Sequence, residues 1–338
     1  MKAAVYYRKH DLRVEDIPVR ELKDNEVLVN VKYCGVCGTD LHIYNGDDGA
    51  APVIPPLVPG HEFSGVVAAV GKDVKSVKVG DKVSIDPNDM CCECYFCRNG
   101  QQHFCMNQIG IGTTCNGGFA EYVISREKQV YKFSDRLSFE EAAMTEPLSC
   151  CLHGIDLCNI EVGDTVLLIG GGPIGLIMMQ LARNAGAARI IVSEPVAEKR
   201  DLAKKLGADV VVDPVNENLQ EVLKNCCKNV DIVIECVGRT DTMEDAIRCA
   251  GKGATVMLFG LTSPDAKMSI LPYEIFKKEL HITASYINPY TFERALKLLE
   301  SGKIDVKSII TDIVPLDDIN KVFTDSSYRR RGKVLIKI

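Results

Sequence analysis

Cys91, Cys94, Cys97 and Cys105 stand at C-x2-C-x2-C-x7-C spacing, and a chain that uses them together must fold one short loop onto a single point. Thiolates two residues apart can bend onto one tetrahedral zinc ion, and a site with all four positions filled by sulfur has no room for water. Such a centre holds a loop together and leaves any catalysis to another part of the chain. Cys92, inside the same run, reads as a non-ligand. The competing reading is a scatter of buried free thiols, since the chain carries 15 cysteines.

Hydrophobic periodicity divides the chain. Up to about residue 130, short strands alternate with turns: Glu26 to Val31 alternates, Gly65 to Gly71 is a strand closed by glycine, and Gly80 to Ile85 is another. From about residue 140, helix-length amphipathic segments such as Ala197 to Leu206 alternate with wholly apolar runs. These runs are Thr165 to Ile169, Ile190 to Val192, Val210 to Val212, Asp231 to Ile234 and Ala254 to Phe259. Apolar runs of this kind fit parallel strands covered on both faces. After about residue 286 a helical stretch, Thr291 to Leu299, leads to a last strand, Lys333 to Ile338, whose pattern matches the β-rich first half. The middle of the chain then reads as an insertion, and the fold class is α/β.

A length of 338 residues with 46% hydrophobic and 25% charged residues suits a two-domain soluble enzyme. The net charge of -6 argues against a nucleic-acid partner, and the one basic run, Arg329-Arg330-Arg331, reads as a solvated turn. No apolar stretch approaches the ~20 residues of a membrane span, and Met1 to Val5 enters a strand pattern without a signal peptide. The expectation is a cytoplasmic protein whose cysteines serve as ligands and buried thiols rather than disulfides.

Two further motifs carry chemistry. Gly170-Gly171-Gly172-Pro173-Ile174-Gly175 is a G-x-G-x-x-G run directly after an apolar strand and before a helix, Leu176 to Asn184. Gly170 allows the tight turn, Gly172 lets the backbone approach a pyrophosphate, and Gly175 permits close packing of the helix, whose N-terminus receives the phosphates. Glu194, about 20 residues on, suits the hydroxyls of an adenosine ribose and repels a 2'-phosphate, so NAD is expected over NADP. A glycine-rich turn that binds nothing is the alternative. The second motif is Cys37-Gly38-Thr39-Asp40-Leu41-His42 followed by Gly60-His61-Glu62. Cys37, His61 and a carboxylate form the mixed ligand set of a zinc that keeps one position open. Taken singly, a cysteine reads equally as a core thiol and a histidine as a satisfied polar group.

Together with Glu146-Pro147-Leu148, these motifs occur in the order found in zinc-dependent medium-chain dehydrogenases/reductases, and the resemblance spans essentially the whole chain. It resembles most the sorbitol and threonine dehydrogenase branch, which has Glu-Pro where alcohol dehydrogenases of another branch place a third ligand cysteine. The resemblance implies a GroES-like β-rich catalytic domain (residues 1–149 and 287–338) around a Rossmann doubly wound parallel-sheet domain (150–286). It implies Cys37, His61, Glu62 and Glu146 around a catalytic zinc, one of the two carboxylates acting through water or only in part of the cycle. Cys91, Cys94, Cys97 and Cys105 would hold a structural zinc, making two zinc ions per chain.

Asp40 would orient His61, and Thr39 would take the substrate's hydroxyl proton and pass it, through the nicotinamide ribose, to His42. Ile174 and Lys199 would touch NAD, with Phe259-Gly260-Leu261 and Ser285-Tyr286 near the nicotinamide; Lys199 also reads as a solvated helix charge. The implied activity is hydride transfer between a secondary alcohol, a polyol for preference, and its ketone, in a homodimer or homotetramer.

Two residues depart from the branch. Threonine dehydrogenases carry a histidine where Asn88 stands, and sorbitol dehydrogenases carry an arginine near Ile287. Threonine, a sugar-phosphate alcohol and a bulkier secondary alcohol such as a hydroxysteroid stay open as substrates. A reading of another class is an NAD-binding regulatory protein without turnover. It would keep the glycine turn and the four-cysteine loop but has no need of Cys37, Thr39, His42, His61 and Glu146 together.

Overall fold

The computed structural model describes residues 1–47 and 52–338. The chain forms two compact units, one of Met1–Ser149, Pro289–Gly302 and Val306–Ile338, the other of Cys150–Asn288 and Lys303–Asp305.

The first unit is built on a seven-stranded sheet. Its spatial order is Ile310–Pro315, Lys333–Lys337, Glu26–Gly35, Glu62–Val70, Lys82–Ile85 and Val130–Lys132, with Tyr122–Arg126 also paired to Glu26–Gly35. Glu26–Gly35 organises the rest, because it pairs antiparallel with three neighbours. Its alternating Val27, Val29 and Val31 turn into a core shared with Phe63, Val67 and Phe119. The C-terminal strand thus joins the first half, as its hydrophobic pattern implies: Leu335 stands opposite Gly35, and Gly35 opposite Glu62.

The second unit is a six-stranded, wholly parallel sheet in the order Val210–Val212, Arg189–Ser193, Thr165–Ile169, Ile232–Glu235, Thr255–Leu258, His281–Ala284. The apolar runs become its central strands, and Leu167, Leu168, Ile191, Val233 and Val256 are inaccessible to solvent. The chain winds outwards from Thr165–Ile169 in one direction and returns beside it to wind in the other, so the switch point falls between that strand and Ile232–Glu235. Ligands of open α/β sheets bind at the carboxyl ends of strands at such a point. The outlying Lys303–Asp305 belongs to this unit because Gln180 grips it twice, donating to Asp305 O (3.1 Å) and accepting from Asp305 N (2.7 Å).

One expectation is corrected. Ser326–Arg331 is a helix rather than a turn. Arg330 is exposed, but Arg331 pairs with Asp312 (2.7 Å), a carboxylate brought alongside by the strand Ile310–Pro315. The side chain of Arg329 lies outside the described residues. No helix among those described is long and apolar enough to cross a membrane.

Candidate active site

The four-cysteine loop brings its sulfurs together: the Sγ atoms of Cys91, Cys94, Cys97 and Cys105 lie within 4.8 Å of one another. Separations of 3.4 Å (Cys91–Cys105), 3.9 Å (Cys91–Cys97) and 4.0 Å (Cys94–Cys105) bracket the edge of about 3.8 Å that ~2.3 Å zinc–sulfur bonds give a tetrahedron. Backbone N–H groups support the sulfurs: Cys94 N donates to Cys91 Sγ (3.3 Å), Cys91 N to Cys105 Sγ (3.3 Å) and Asn107 N to Cys105 Sγ (3.4 Å). The N–H groups of Glu93 and Cys94 hold the Cys91 thiol down to about 6, whereas burial pushes Cys97 up to about 12. Four sulfur donors at near-tetrahedral separations fit a closed zinc centre. Cys92 stands outside the group, exposed and in the left-handed region (φ 63°). The loop is anchored by the buried Asp89, paired with Arg126 (3.0 Å) and Lys128 (2.7 Å).

A second group forms around the helix Gly38–Tyr44, which begins immediately after Cys37. The ligand atoms of Cys37, His61 and Glu62 lie within 4.8 Å of one another. Asp40, almost wholly buried, accepts from Cys37 N (2.8 Å) and Gly60 N (3.2 Å), so one carboxylate pins the backbone beside both segments that carry the candidate ligands. Its Oδ1 is 3.6 Å from His61 Nδ1, too long for a hydrogen bond, and that buried nitrogen has no hydrogen-bond partner among the described residues. What Asp40 fixes by hydrogen bonds is therefore main chain rather than the imidazole. Burial works against a charged His61, but the fields of Asp40 and then Cys37 outweigh it and raise its pKa well above the ordinary value. The field that favours a proton there favours a metal ion equally. The donor set of thiol, imidazole and carboxylate fits a zinc with an open position.

The remaining expected residues take different places. Glu146 lies outside the 4.8 Å group, buried in the first turn of the helix Thr145–Cys158. Thr39 Oγ1 is 3.8 Å from Cys37 Sγ, and His42 follows one turn later on the same helix. The His42 side chain is 34% exposed, with Nδ1 3.7 Å from Asp47 Oδ2.

In the second unit the glycine turn follows the strand Thr165–Ile169. Gly170 has φ +104°, and a Cβ on Gly175 would sit 1.9 Å from the Gly170 carbonyl oxygen, so both positions exclude side chains. Gly172 caps the helix Pro173–Ala185, and a Cβ there would meet nothing within 4 Å; the turn is open on the side where a phosphate would approach. Glu194 is buried, with Oε2 accepting from Gly171 N (2.7 Å) and Oε1 from Val196 N (2.9 Å). Ile174 and Lys199 are partly exposed close by in the chain, on the first turns of two helices. These features fit the adenosine and pyrophosphate of a dinucleotide.

Sequence reasoning missed three charged residues. Arg200 ties the Glu194 carbonyl (2.8 Å) to Asp213 (3.0 Å). Glu235, inaccessible at the end of a central strand, accepts from Val237 N (2.8 Å), Gly238 N (3.0 Å) and Thr242 Oγ1 (2.7 Å). Lys333, 6% exposed, pairs with Glu62. Burial works against charge on its amine, yet the attraction of Glu62 and then Cys37 prevails and the pKa is raised. Glu235 had a local signal, a carboxylate ending an otherwise apolar run; Lys333 had none.

Comparison with known proteins agrees with this geometry. Residues 23–135 match the alcohol dehydrogenase GroES-like domain and residues 173–301 the zinc-binding dehydrogenase domain. The chain is 37% identical to D-arabitol-phosphate dehydrogenase of Enterococcus avium, over 95% of its own length and 92% of the relative's. It is 34% identical to D-arabinitol dehydrogenase 1 of Uromyces fabae, over 99% and 96%. A zinc-binding dehydrogenase from Sinorhizobium meliloti 1021, crystallised with NADP, superposes with a TM-score of 0.95 at 37% identity, covering 100% of this chain and 99% of that one. The chain belongs to the zinc-dependent medium-chain dehydrogenase/reductase family, in the branch of the sorbitol and threonine dehydrogenases, and is an alcohol dehydrogenase that works with zinc and a nicotinamide cofactor.

Proposed function

We propose that this enzyme oxidises a secondary hydroxyl of a polyol or polyol phosphate to the ketone with NAD, and runs in reverse when NADH is in excess. The observation that carries the reading is the pair of donor groups: a closed set of four thiols, and an open set of Cys37, His61 and Glu62 in which a fourth position is left for substrate. Cys37, His61 and Glu62 would hold the zinc, which would supply a Lewis acid that lowers the pKa of a neighbouring hydroxyl, and a nicotinamide bound at the glycine turn's domain would supply the hydride acceptor. The protein's part is to move the proton. Thr39, close to Cys37, accepts it, and His42, one turn further and partly exposed, returns it to solvent. Glu146 lends a second carboxylate to the same environment.

The names of the relatives, a D-arabitol-phosphate and a D-arabinitol dehydrogenase, support a polyol or its phosphate. Asn88 supports this over threonine: its Oδ1 accepts from Gln108 Nε2 (2.6 Å) within its own loop, where threonine dehydrogenases carry a histidine. Glu194 supports NAD, although a similar protein was crystallised with NADP. Two zinc ions per chain, a homodimer or homotetramer, and residence in the cytoplasm complete the proposal. The edge strand His281–Ala284, paired on one side only among the described residues, and the exposed Tyr273 and Phe276 in the preceding helix support self-association. The test is NADH formation from arabitol, sorbitol, their phosphates, threonine, small secondary alcohols and hydroxysteroids. Polyols or polyol phosphates should give the highest kcat/KM, and turnover confined to threonine would refute the assignment.

A further inference from the structure

The four-thiol loop is closed by a neck in which Asn88–Asp89 pairs antiparallel with Ile109–Gly110. Ile111 N donates to Pro87 O (2.9 Å) and extends the pairing. The chain then turns on the Gly110 carbonyl, which accepts from Thr114 N (2.8 Å), and residues 116–119 run beside residues 58–60. Val58 N donates to Asn116 Oδ1 (3.0 Å), Gly117 N to Val58 O (2.7 Å) and Gly118 N to Gly60 O (2.7 Å). The next residue after Gly60 is the candidate ligand His61.

The contact is main chain on main chain. A Cβ on Gly112 would lie 2.3 Å from the Gly60 carbonyl oxygen, and one on Gly117 would lie 2.1 Å from the same oxygen and 2.4 Å from Gly112 Cα. Gly117 is not among the glycines of positive φ, so its backbone is open to any residue and only the nearness of Gly60 and Gly112 excludes a side chain. The enclosed oxygen belongs to the planar peptide that joins Gly60 to His61, and fixing that plane fixes where the His61 backbone starts. Gly60 is thus gripped twice: at its N–H by Asp40 of the helix that follows Cys37, and at its carbonyl by the segment that leaves the four-thiol loop.

We propose that Gly112 and Gly117 are positioning residues that clasp the Gly60 carbonyl, set His61 for the catalytic metal, and make affinity there depend on whether the four thiols hold their own ion. This rests on reading Cys37, His61 and Glu62 as the metal site. Four thiols without an ion no longer share one centre, so the neck and the 110–118 segment behind it gain freedom, and ordering them again opposes metal binding at His61. Such coupling is reciprocal, so an ion at the open set should also raise affinity at the four thiols.

The test uses the full-length enzyme with zinc at the four thiols and cobalt(II) at the open set, its visible bands followed during chelator competition. Gly117→Ala should lower cobalt affinity about 5- to 150-fold, the ordinary span of coupling between two sites, and keep the four-thiol zinc. Gly71→Ala controls for plain destabilisation: its Cβ would lie 2.3 Å from the Asp24 carbonyl oxygen, just past the end of the strand Glu62–Val70 remote from Glu62. It should lower the urea midpoint yet keep the parent cobalt affinity. Cys94→Ala/Cys97→Ala, which empties the four-thiol loop, should lower cobalt affinity by a similar factor, and adding Gly117→Ala should cause little further loss, since both break the same connection. If the cysteine variant does not fold, Gly117→Ala against Gly71→Ala decides; if Gly117→Ala does not fold, Asn116→Ala, which removes one bond of the same ladder, should shift the affinity the same way by less. Parent affinity in Gly117→Ala, or in Asn116→Ala where it stands in, an equal loss in Gly71→Ala, or losses that multiply fully in the combined variant would overturn the proposal. Cobalt bands that survive Cys37→Ala would overturn the metal-site reading and the proposal with it.

Discussion

Replacing Asp40 by asparagine tests how the segments proposed to bind the catalytic metal are held. The substitution keeps the shape and removes the charge and one acceptor. Asp40 accepts from Cys37 N at 2.8 Å, in a part-buried bond, and from Gly60 N at 3.2 Å, in a buried one. Hydrogen bonds to a charged group contribute about 1.5–3 kcal/mol, and a buried donor left without an acceptor costs about 1–3 kcal/mol. An asparagine oxygen can serve one amide only, and its NH2 group then faces the other. The loss should be about 3 kcal/mol, seen as a lower urea midpoint at unchanged slope in metal-free protein. Cys37 and His61 follow the two amides, so catalytic zinc affinity, measured by chelator competition, should fall roughly 10- to 100-fold while the four-thiol zinc is retained. If Asp40→Asn left both the urea midpoint and the chelator competition unchanged, the idea that this carboxylate assembles the site would be wrong.

Three further outcomes are expected. Thr39→Val should retain zinc and slow alcohol oxidation by about 10²- to 10⁴-fold; parent-rate oxidation, with a deuterium isotope effect proving hydride transfer rate-limiting, would exclude Thr39 from the proton path. Glu194→Ser should relax the preference for NAD, read as the ratio of kcat/KM for NAD and NADP, and an unmodified enzyme indifferent to the two would contradict the role given to Glu194. Because His61 has a raised pKa in the metal-free protein, the stability it contributes is present below its unfolded pKa and lost as pH rises through the folded one. Zinc must displace that proton, so zinc affinity should fall about tenfold per unit as pH drops below the raised pKa; affinity independent of pH across that range would count against His61 as a ligand.

Legibility followed sequence distance. The four-thiol loop and the Gly170–Gly175 turn are each contained in a short segment whose local geometry does the assembling, and spacing alone announces them, whereas the roles proposed for Thr39 and His42 came from the family resemblance. His61 and Cys37 are further apart, yet both sit in recognisable motifs. Asp40 was visible as a helper of the site but not in its true contacts, because sequence does not say that Gly60 N turns towards it. Lys333 was invisible: its pairing with Glu62 depends on the register of three strands, and a lysine at the start of an apolar strand ordinarily reads as a solvated end. The Arg329–Arg331 run misled for a related reason, since charge alone cannot reveal that Asp312 lies alongside.

Glu194 also bears on how readily such an enzyme could change its coenzyme. Both carboxylate oxygens are occupied by main-chain N–H groups of Gly171 and Val196, so the side chain is immobilised before any nucleotide arrives and little rotamer entropy is lost when a ribose binds. The same rigidity means that it cannot swing aside for a bulkier, charged group. Because one of its anchors is Gly171 in the turn proposed to receive the pyrophosphate, removing the carboxylate would leave the Gly171 N–H without its acceptor and loosen that turn together with the proposed ribose contact. A switch of coenzyme by substitution at this position alone should therefore carry a penalty in affinity for both nucleotides, and recovering it requires a new acceptor for that amide as well as a new partner for the phosphate.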